Sequence, residues 1–342
     1  MSQAVAVAVN LFEGAPLPDF VRRAAVDVLV SGARRRLSRA TSAHEADFAR
    51  DMADFRVAEH PDAANIQHYE LPAAFFEHVL GPRLKYSCGY YSHDGATLAE
   101  AEVEALRRTG ENAGLSDGQA ILELGCGWGS LSLWMARAYP NAQIVSVSNS
   151  APQRAFIEGR ARQEGFSNLK VITTDMNDFA TELRFDRIVS VEMFEHMSNW
   201  RVLLGRARDW LTPQGRLFLH VFSHRAAPYR FDVDDPSDWI AQHFFTGGVM
   251  PSHGLIRRFG DLFDVEAEWR WNGTHYARTA SDWLANYDAS AQDIAALLRD
   301  VYGPQARLWA RRWRLFFLAT EGLFGHARGE EWGVSHYRLA PV

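Results

Sequence analysis

Cysteine is nearly absent: Cys88 and Cys126 are the only two in 342 residues. Two thiols make no disulfide framework and suit a reducing compartment. Nowhere does the chain hold the run of about 18 apolar residues that a membrane-spanning helix requires. The apolar start, Met1 to Asn10, is short and has no basic flank, so it does not read as a signal peptide. Positive charge is also in deficit. Thirty-six Lys and Arg face 42 Asp and Glu, a formal net charge of −6, which gives a nucleic-acid partner no overall electrostatic support. There is no internal repeat and no low-complexity segment. The expectation is a cytoplasmic protein with no stable membrane insertion, and the sequence leaves a homodimer open.

What is present is ordinary globular material, 47% hydrophobic and 23% charged. The length fits one large domain or two smaller ones. Residues 12–60 read as helical, with VRRAAVDVLVSGARRRLSRA carrying an arginine-rich face. Arg34, Arg35 and Arg36 are expected to be solvated. Residues 61–98 are less regular and hold the aromatic cluster KYSCGYYSHDG. Thr97 followed three residues later by Glu100 is a capping box before a helix. From 119 onward short apolar runs alternate with helical stretches. QAILELG, AQIVSVSN, LKVITTD, FDRIVSV and GRLFLHVFS read as strands, with helices such as SLSLWMARA, QRAFIEGRARQEG and WRVLLGRARDWL among them. That alternation predicts an α/β fold with a parallel sheet. Residues 224–262 are a loop-rich insertion. Residues 263–273 and the final EEWGVSHYRLA read as two late strands separated by a helical excursion over 279–325.

Chemistry concentrates at the strand ends. Glu123-Leu124-Gly125-Cys126-Gly127-Trp128-Gly129 follows a strand and opens a helix. Glycines there let the backbone turn tightly and approach a ligand. Glu123 can take a ligand ammonium or hydroxyl group. The spacing is G-x-G-x-G, not the G-x-G-x-x-G of dinucleotide binders. The second strand ends at Ser148-Asn149, where Asn149 can bond a ribose diol, with Gln153 one helical turn on. The third ends at Asp175-Met176, placed to bond an adenine amino group and pack on the ring. Asp175 also reads as a cap of the next segment. The fourth runs into Val191-Glu192-Met193-Phe194-Glu195-His196-Met197. If a helical turn starts there, Glu192, Glu195 and His196 share one face, and a histidine beside carboxylates is a general base near neutral pH. E-x-x-E-H is not the zinc motif H-E-x-x-H, so no metal is expected. Tyr86 and Ser87, in the upstream aromatic segment, are expected to cover the ligand. His220 and His224, at the fifth strand end, read as structural. Trp269, Trp271, Trp283, Trp309 and Trp313 read mostly as core.

ILELGCGWGSLSLWMA, SVSNS..Q, TTDMNDF, VEMFEHM and WRLFFLATEGLFGHARGEEW together resemble the coclaurine N-methyltransferase group of the cyclopropane-fatty-acid synthase superfamily. The resemblance runs from about residue 15 to the end. It implies a Rossmann-like class I methyltransferase sheet, mostly parallel with an antiparallel last strand. Residues 1–98 would form a helical N-terminal cap. Residues 99–342 would form the methyltransferase domain, with helical substrate-cap insertions near 224–262 and 277–325. The cofactor would be S-adenosylmethionine, lined by Tyr86, Ser87, Glu123, Gly125, Cys126, Gly127, Ser148, Asn149, Gln153, Asp175, Met176 and Val191. The partner would be a small, aromatic, alkaloid-like amine. Glu192, Glu195 and His196 would orient it and take its proton, with His196 oriented by Glu192 or Glu195. The alternative is a cyclopropane synthase or fatty-acyl C-methyltransferase. That branch holds a bicarbonate with a Cys and a Glu, helped by a His and a C-terminal Tyr. Cys88, Glu195 and His220 are present, but the C-terminal helix reads Leu315-Phe316-Phe317 where the Tyr is expected.

Overall fold

The computed structural model describes residues 13, 17–59, 71–235 and 238–342. The apolar start, Pro61 and Pro236 lie outside them. The architecture is one seven-stranded sheet in the order β3-β2-β1-β4-β5-β9-β8. Five strands alternate with helices: β1 (Ala120–Leu124), β2 (Gln143–Ser148), β3 (Leu169–Thr173), β4 (Phe185–Val191) and β5 (Leu211–His224). These five pair in parallel. The last strand, β9 (Trp332–Pro341), runs antiparallel between β5 and β8 (Phe263–Asn272). Strand periodicity sets the two faces, because successive side chains point to opposite sides. Ile121, Val189 and Phe218 pack on one face with Leu106, Leu131 and Met135. Their neighbours Leu122, Ile188, Leu217 and Leu219 pack on the other with Leu203, Leu204 and Ala207.

The helices form where an apolar stripe and a cap coincide. N-terminal to the sheet lie α1 (Asp19–Leu37), α2 (Ser42–Asp51), α3 (Ala73–Val79) and α4 (Leu98–Ala113). Thr97 and Glu100 form the expected capping box of α4. Between strands lie α5 (Ser130–Ala138), α6 (Ala151–Glu164) and α7 (Trp200–Trp210). In α7, Trp200, Leu203, Leu204, Ala207 and Trp210 are buried at helical spacing, each large side chain contributing ~1.5–3 kcal/mol by burial. Asn199 caps it by accepting from Val202 N at 3.1 Å. The insertion after β5 is mostly loop, holding a two-stranded ribbon, β6 (Tyr229–Arg230) with β7 (Val249–Met250), and the short α8 (Trp239–His243). The late excursion is α9 (Gly273–Ala289), α10 (Ala291–Tyr302) and α11 (Ala306–Gly325). It starts directly after β8, earlier than the helical pattern from 279, because Asn272 caps α9 by accepting from Thr274 N at 2.8 Å. Trp271, Trp283 and Trp313 are core, as expected.

Arg34, Arg35 and Arg36 are all exposed, as expected, and Arg34 makes an ion pair as well. Its Nε donates to Glu331 at 2.7 Å, and Arg225 reaches the other oxygen of that carboxylate at 3.1 Å. Glu331 is only 3% exposed, so the arginines answer a charge that burial has left in need of partners. The contact ties α1 to the residue just before β9.

Candidate active site

The carboxyl ends of β1, β2 and β4, with the loop after β3, converge on one cavity. This is where open α/β sheets bind ligands. All twelve residues expected at the cofactor line it. At the mouth of β1 the backbone N–H groups of Gly125 and Cys126 both donate to Val147 O at 3.0 Å, which folds the chain back over β2. Gly125 takes φ +82°, and a Cβ there would come within 2.5 Å of the Met193 side chain. Gly127 sits at φ +50°, a backbone conformation that disfavours a side chain.

The polar groups at this end are partly engaged. Glu123 accepts from Ser132 Oγ and, at 2.7 Å, from Ser146 Oγ; burial pushes its pKa up to about 7. Ser148 Oγ donates to Gln153 Oε1 at 2.7 Å. Asp175 caps the next segment, its Oδ1 accepting from Asn177 N at 2.8 Å, and it also lines the cavity. Other donors on the wall are buried with no partner: Thr109 Oγ1, Trp128 Nε1, Ser130 Oγ and Gln153 Nε2. Each lines the cavity. A buried donor left unpaired costs ~1–3 kcal/mol, so four around one cavity call for an acceptor-rich ligand. The carboxylate, ribose hydroxyls and purine nitrogens of S-adenosylmethionine fit that need.

The other end is built from charges. Glu192 leaves β4 with φ +49°, so it is not part of a helix. Its Oε1 accepts from Cys88 N at 3.0 Å and lies 3.1 Å from His220 Nε2, and its Oε2 accepts from Tyr276 OH at 2.6 Å. Burial raises its pKa, and the nearby Lys85 ammonium and the bonds from Cys88 N and Tyr276 OH only partly offset that rise. Lys85 is 3% exposed; its Nζ donates to Ser87 Oγ at 2.5 Å and to Cys88 O at 2.8 Å. Burial pulls that ammonium below the ordinary lysine range, against the attraction of Glu192.

A short 3₁₀ turn, Phe194–His196, separates the three residues expected to share a face. Glu192 lies before it in a left-handed conformation, and three residues per turn aim Glu195 and His196 in different directions. Glu192 and His196 line the cavity; Glu195 does not. Glu195 is wholly buried, with Oε1 accepting from Phe222 N at 2.6 Å and Oε2 without a partner. Burial first, then the charge of Glu192, push its pKa well up, which favours a neutral acid. The His196 ring lies stacked on Phe245, with centroids 4.6 Å apart.

Sequence reasoning missed Lys85, Thr109, Ser130 and Tyr276. It also read His220 as structural, although its Nε2 lies within hydrogen-bond distance of Glu192 Oε1, at 3.1 Å. A histidine inside the apolar run FLHVF and a lysine opening an aromatic segment were the available signals.

Fold and site together define a class I methyltransferase that uses S-adenosylmethionine. Residues 58–328 match the family model of mycolic acid cyclopropane synthetase. The chain belongs to that family. It is 35% identical to an (S)-coclaurine N-methyltransferase of Thalictrum flavum subsp. glaucum, over 83% of this chain and 80% of the relative. A crystal structure of coclaurine N-methyltransferase bound to N-methylheliamine and S-adenosylhomocysteine superposes with a TM-score of 0.94 at 30% identity, covering 98% of this chain and 99% of that one. A cyclopropane-fatty-acyl-phospholipid synthase of Escherichia coli strain K12 is 31% identical over 67% of this chain and 57% of its own length.

Proposed function

We propose that this methyltransferase alkylates the amine nitrogen of a small aromatic, alkaloid-like acceptor, as the names of its plant relatives say of those enzymes. S-Adenosylmethionine, when bound, supplies an activated methyl. The chain's part is to hold the acceptor in line, keep water out and deal with a proton, because a protonated amine has no lone pair to attack with. Thr109, Trp128, Ser130 and Gln153 hold the donor half through their unpaired groups. Glu123, Ser148, Asn149, Asp175 and Met176 complete that wall. Glu192 sits at the acceptor end as a carboxyl group that attracts and orients the amine. His196, held by Phe245, takes the proton and leaves a neutral amine. Glu195 supports the β5 backbone behind this wall rather than touching the substrate. The elements of 224–262 and 273–325 cap the acceptor end. The two cysteines are buried and free, in keeping with a cytoplasmic enzyme.

One observation favours an amine over a lipid acceptor. The resemblance to cyclopropane synthases implies a bicarbonate held near Cys88, Glu195 and His220, with help from a tyrosine. Here the Glu192 carboxylate already receives the Cys88 N–H, the His220 ring and the Tyr276 hydroxyl. A tethered carboxylate fills the anion's place. The Leu315-Phe316-Phe317 stretch, where that tyrosine is expected, carries no hydroxyl, and its Phe316 stacks on Phe244 at 4.4 Å. The test is a labelled-methyl transfer screen over aromatic amines, aliphatic amines and phospholipid vesicles. Label is expected in aromatic amines; label in lipid alone overturns the reading.

A further inference from the structure

Behind Glu192 a line of hydrogen bonds crosses the sheet to the flank of α4. His220 Nε2 meets Glu192 Oε1 at 3.1 Å, His336 Nε2 meets His220 Nδ1 at 2.8 Å, and Asn112 Nδ2 meets His336 Nδ1 at 3.0 Å. Strand register builds it. His220 and His336 are directly opposed in the β5–β9 pair, on the sheet face that packs against α4, and Asn112 lies near the end of α4.

We propose that Asn112 and His336 are positioning residues that set the polarity of this line, so that His220 always presents an N–H to Glu192. The inference rests on Glu192 being the acceptor-end carboxylate. The logic is one of donors and acceptors. An amide nitrogen can only donate, so His336 Nδ1 must be the bare nitrogen and its proton sits on Nε2. That proton goes to His220 Nδ1, which puts the His220 proton on Nε2, facing Glu192. Each imidazole is neutral and wholly buried, and burial drives both pKa values well down. Cationic Lys85 and Arg108 also oppose a charge on His336. Trp271 lies against the His336 ring at 4.3 Å, and Phe218 meets it edge-on at 5.1 Å. The groups facing Glu192 are Lys85, Cys88, Tyr276 and the neighbouring Glu195. With neutral rings, tautomer alone decides whether Glu192 meets a donor or a lone pair, and Asn112 chooses the tautomer from some distance away.

Asn112→Asp reverses the terminal group from donor to acceptor. His336 must then place its proton on Nδ1 and His220 must donate from Nδ1, which turns a lone pair toward Glu192. In the full chain labelled with ¹⁵N-histidine, NMR is expected to show both residues as Nε2–H in the native protein and as Nδ1–H in the variant. This readout needs no methyl acceptor, so it stands or falls apart from the proposed function. With an amine acceptor, turnover of the variant falls about 10–100-fold, the range typical of partners that orient a functional group from behind. Cofactor affinity stays near native, and the acid limb of the pH–rate profile moves up, because Glu192 protonates more readily without its donor. Asn112→Leu removes the donor without imposing the opposite polarity and gives a mixture of tautomers and a smaller loss. A native protein with Nδ1–H at either histidine overturns the proposal. So does an Asn112→Asp variant with native tautomers or a native pH profile, or one whose His336 is doubly protonated while turnover is unchanged.

Discussion

The two ends of the cavity are built on opposite plans. The donor end is made of backbone turns and neutral groups, several of them left unpaired and waiting for a ligand. The acceptor end is made of charges whose partners the protein itself supplies: Glu192 has three hydrogen-bond partners, and Lys85 two acceptors. The first is poised to bind, and its cost is relieved when the ligand arrives. The second is pre-organised, so that its groups need not rearrange when the reaction proceeds. The difference teaches that binding and chemistry should separate on mutation.

The sharpest break comes from removing the acceptor-end charges. Glu192→Gln places an amide among those three hydrogen-bond partners, and His196→Ala removes the proposed base. Each is expected to lower turnover by ~10²–10⁴-fold, while calorimetry shows cofactor affinity nearly unchanged. If affinity falls in step with turnover, the two ends are not separate. The reverse experiment is Gly125→Ala. A Cβ at φ +82° and 2.5 Å from Met193 is expected to cost ~1–2 kcal/mol of conformational strain alone. Cofactor affinity should drop more than the turnover of the loaded enzyme; denaturant titration and calorimetry measure the two parts.

Glu123 offers a pH test of the donor end. Its pKa is pushed up to about 7 by burial, from an ordinary value of 4.5. Between those values the folded protein holds a proton that the unfolded chain has released, so stability falls as pH rises through that window and levels off above it. Glu123→Gln keeps an acceptor for Ser132 and Ser146 but removes the titration. The melting temperature of the cofactor-free variant, relative to native, is expected to rise from pH 5 to 8. A difference flat in pH would show that Glu123 is charged throughout. The smallest effect belongs to a contact outside both ends. Arg34 is half exposed and shares Glu331 with Arg225, so Arg34→Ala should cost no more than ~1 kcal/mol, with turnover unaltered.

The donor end could be read from the chain because its parts are local. Each strand and the residue at its carboxyl end lie within a few positions, so Gly125, Asn149 and Asp175 announced themselves. The strands were equally legible, from FDRIVSV at 185–191 to the late pair around the helical excursion. The acceptor end was only partly so. Its tyrosine comes from α9, its lysine from before α4, and its histidines from strands more than a hundred residues apart. No spacing rule joins Asn112 to His336; only the β5–β9 register does. The misplacement of Glu195 has a narrower cause. Spacing implied a helical face, and one left-handed residue, Glu192, took the chain off the helix before the face could form.

The position of β9 bears on how the molecule comes to be made. This strand lies inside the sheet, yet it follows the whole excursion of α9–α11 in the chain. During synthesis β5 and β8 must therefore wait with open edges, a state prone to pairing with other chains. Only when β9 slots between them does His336 come to stand beside His220. Nascent chains stalled before residue 332 should be dependent on chaperones and chemically inert, whatever cofactor surrounds them.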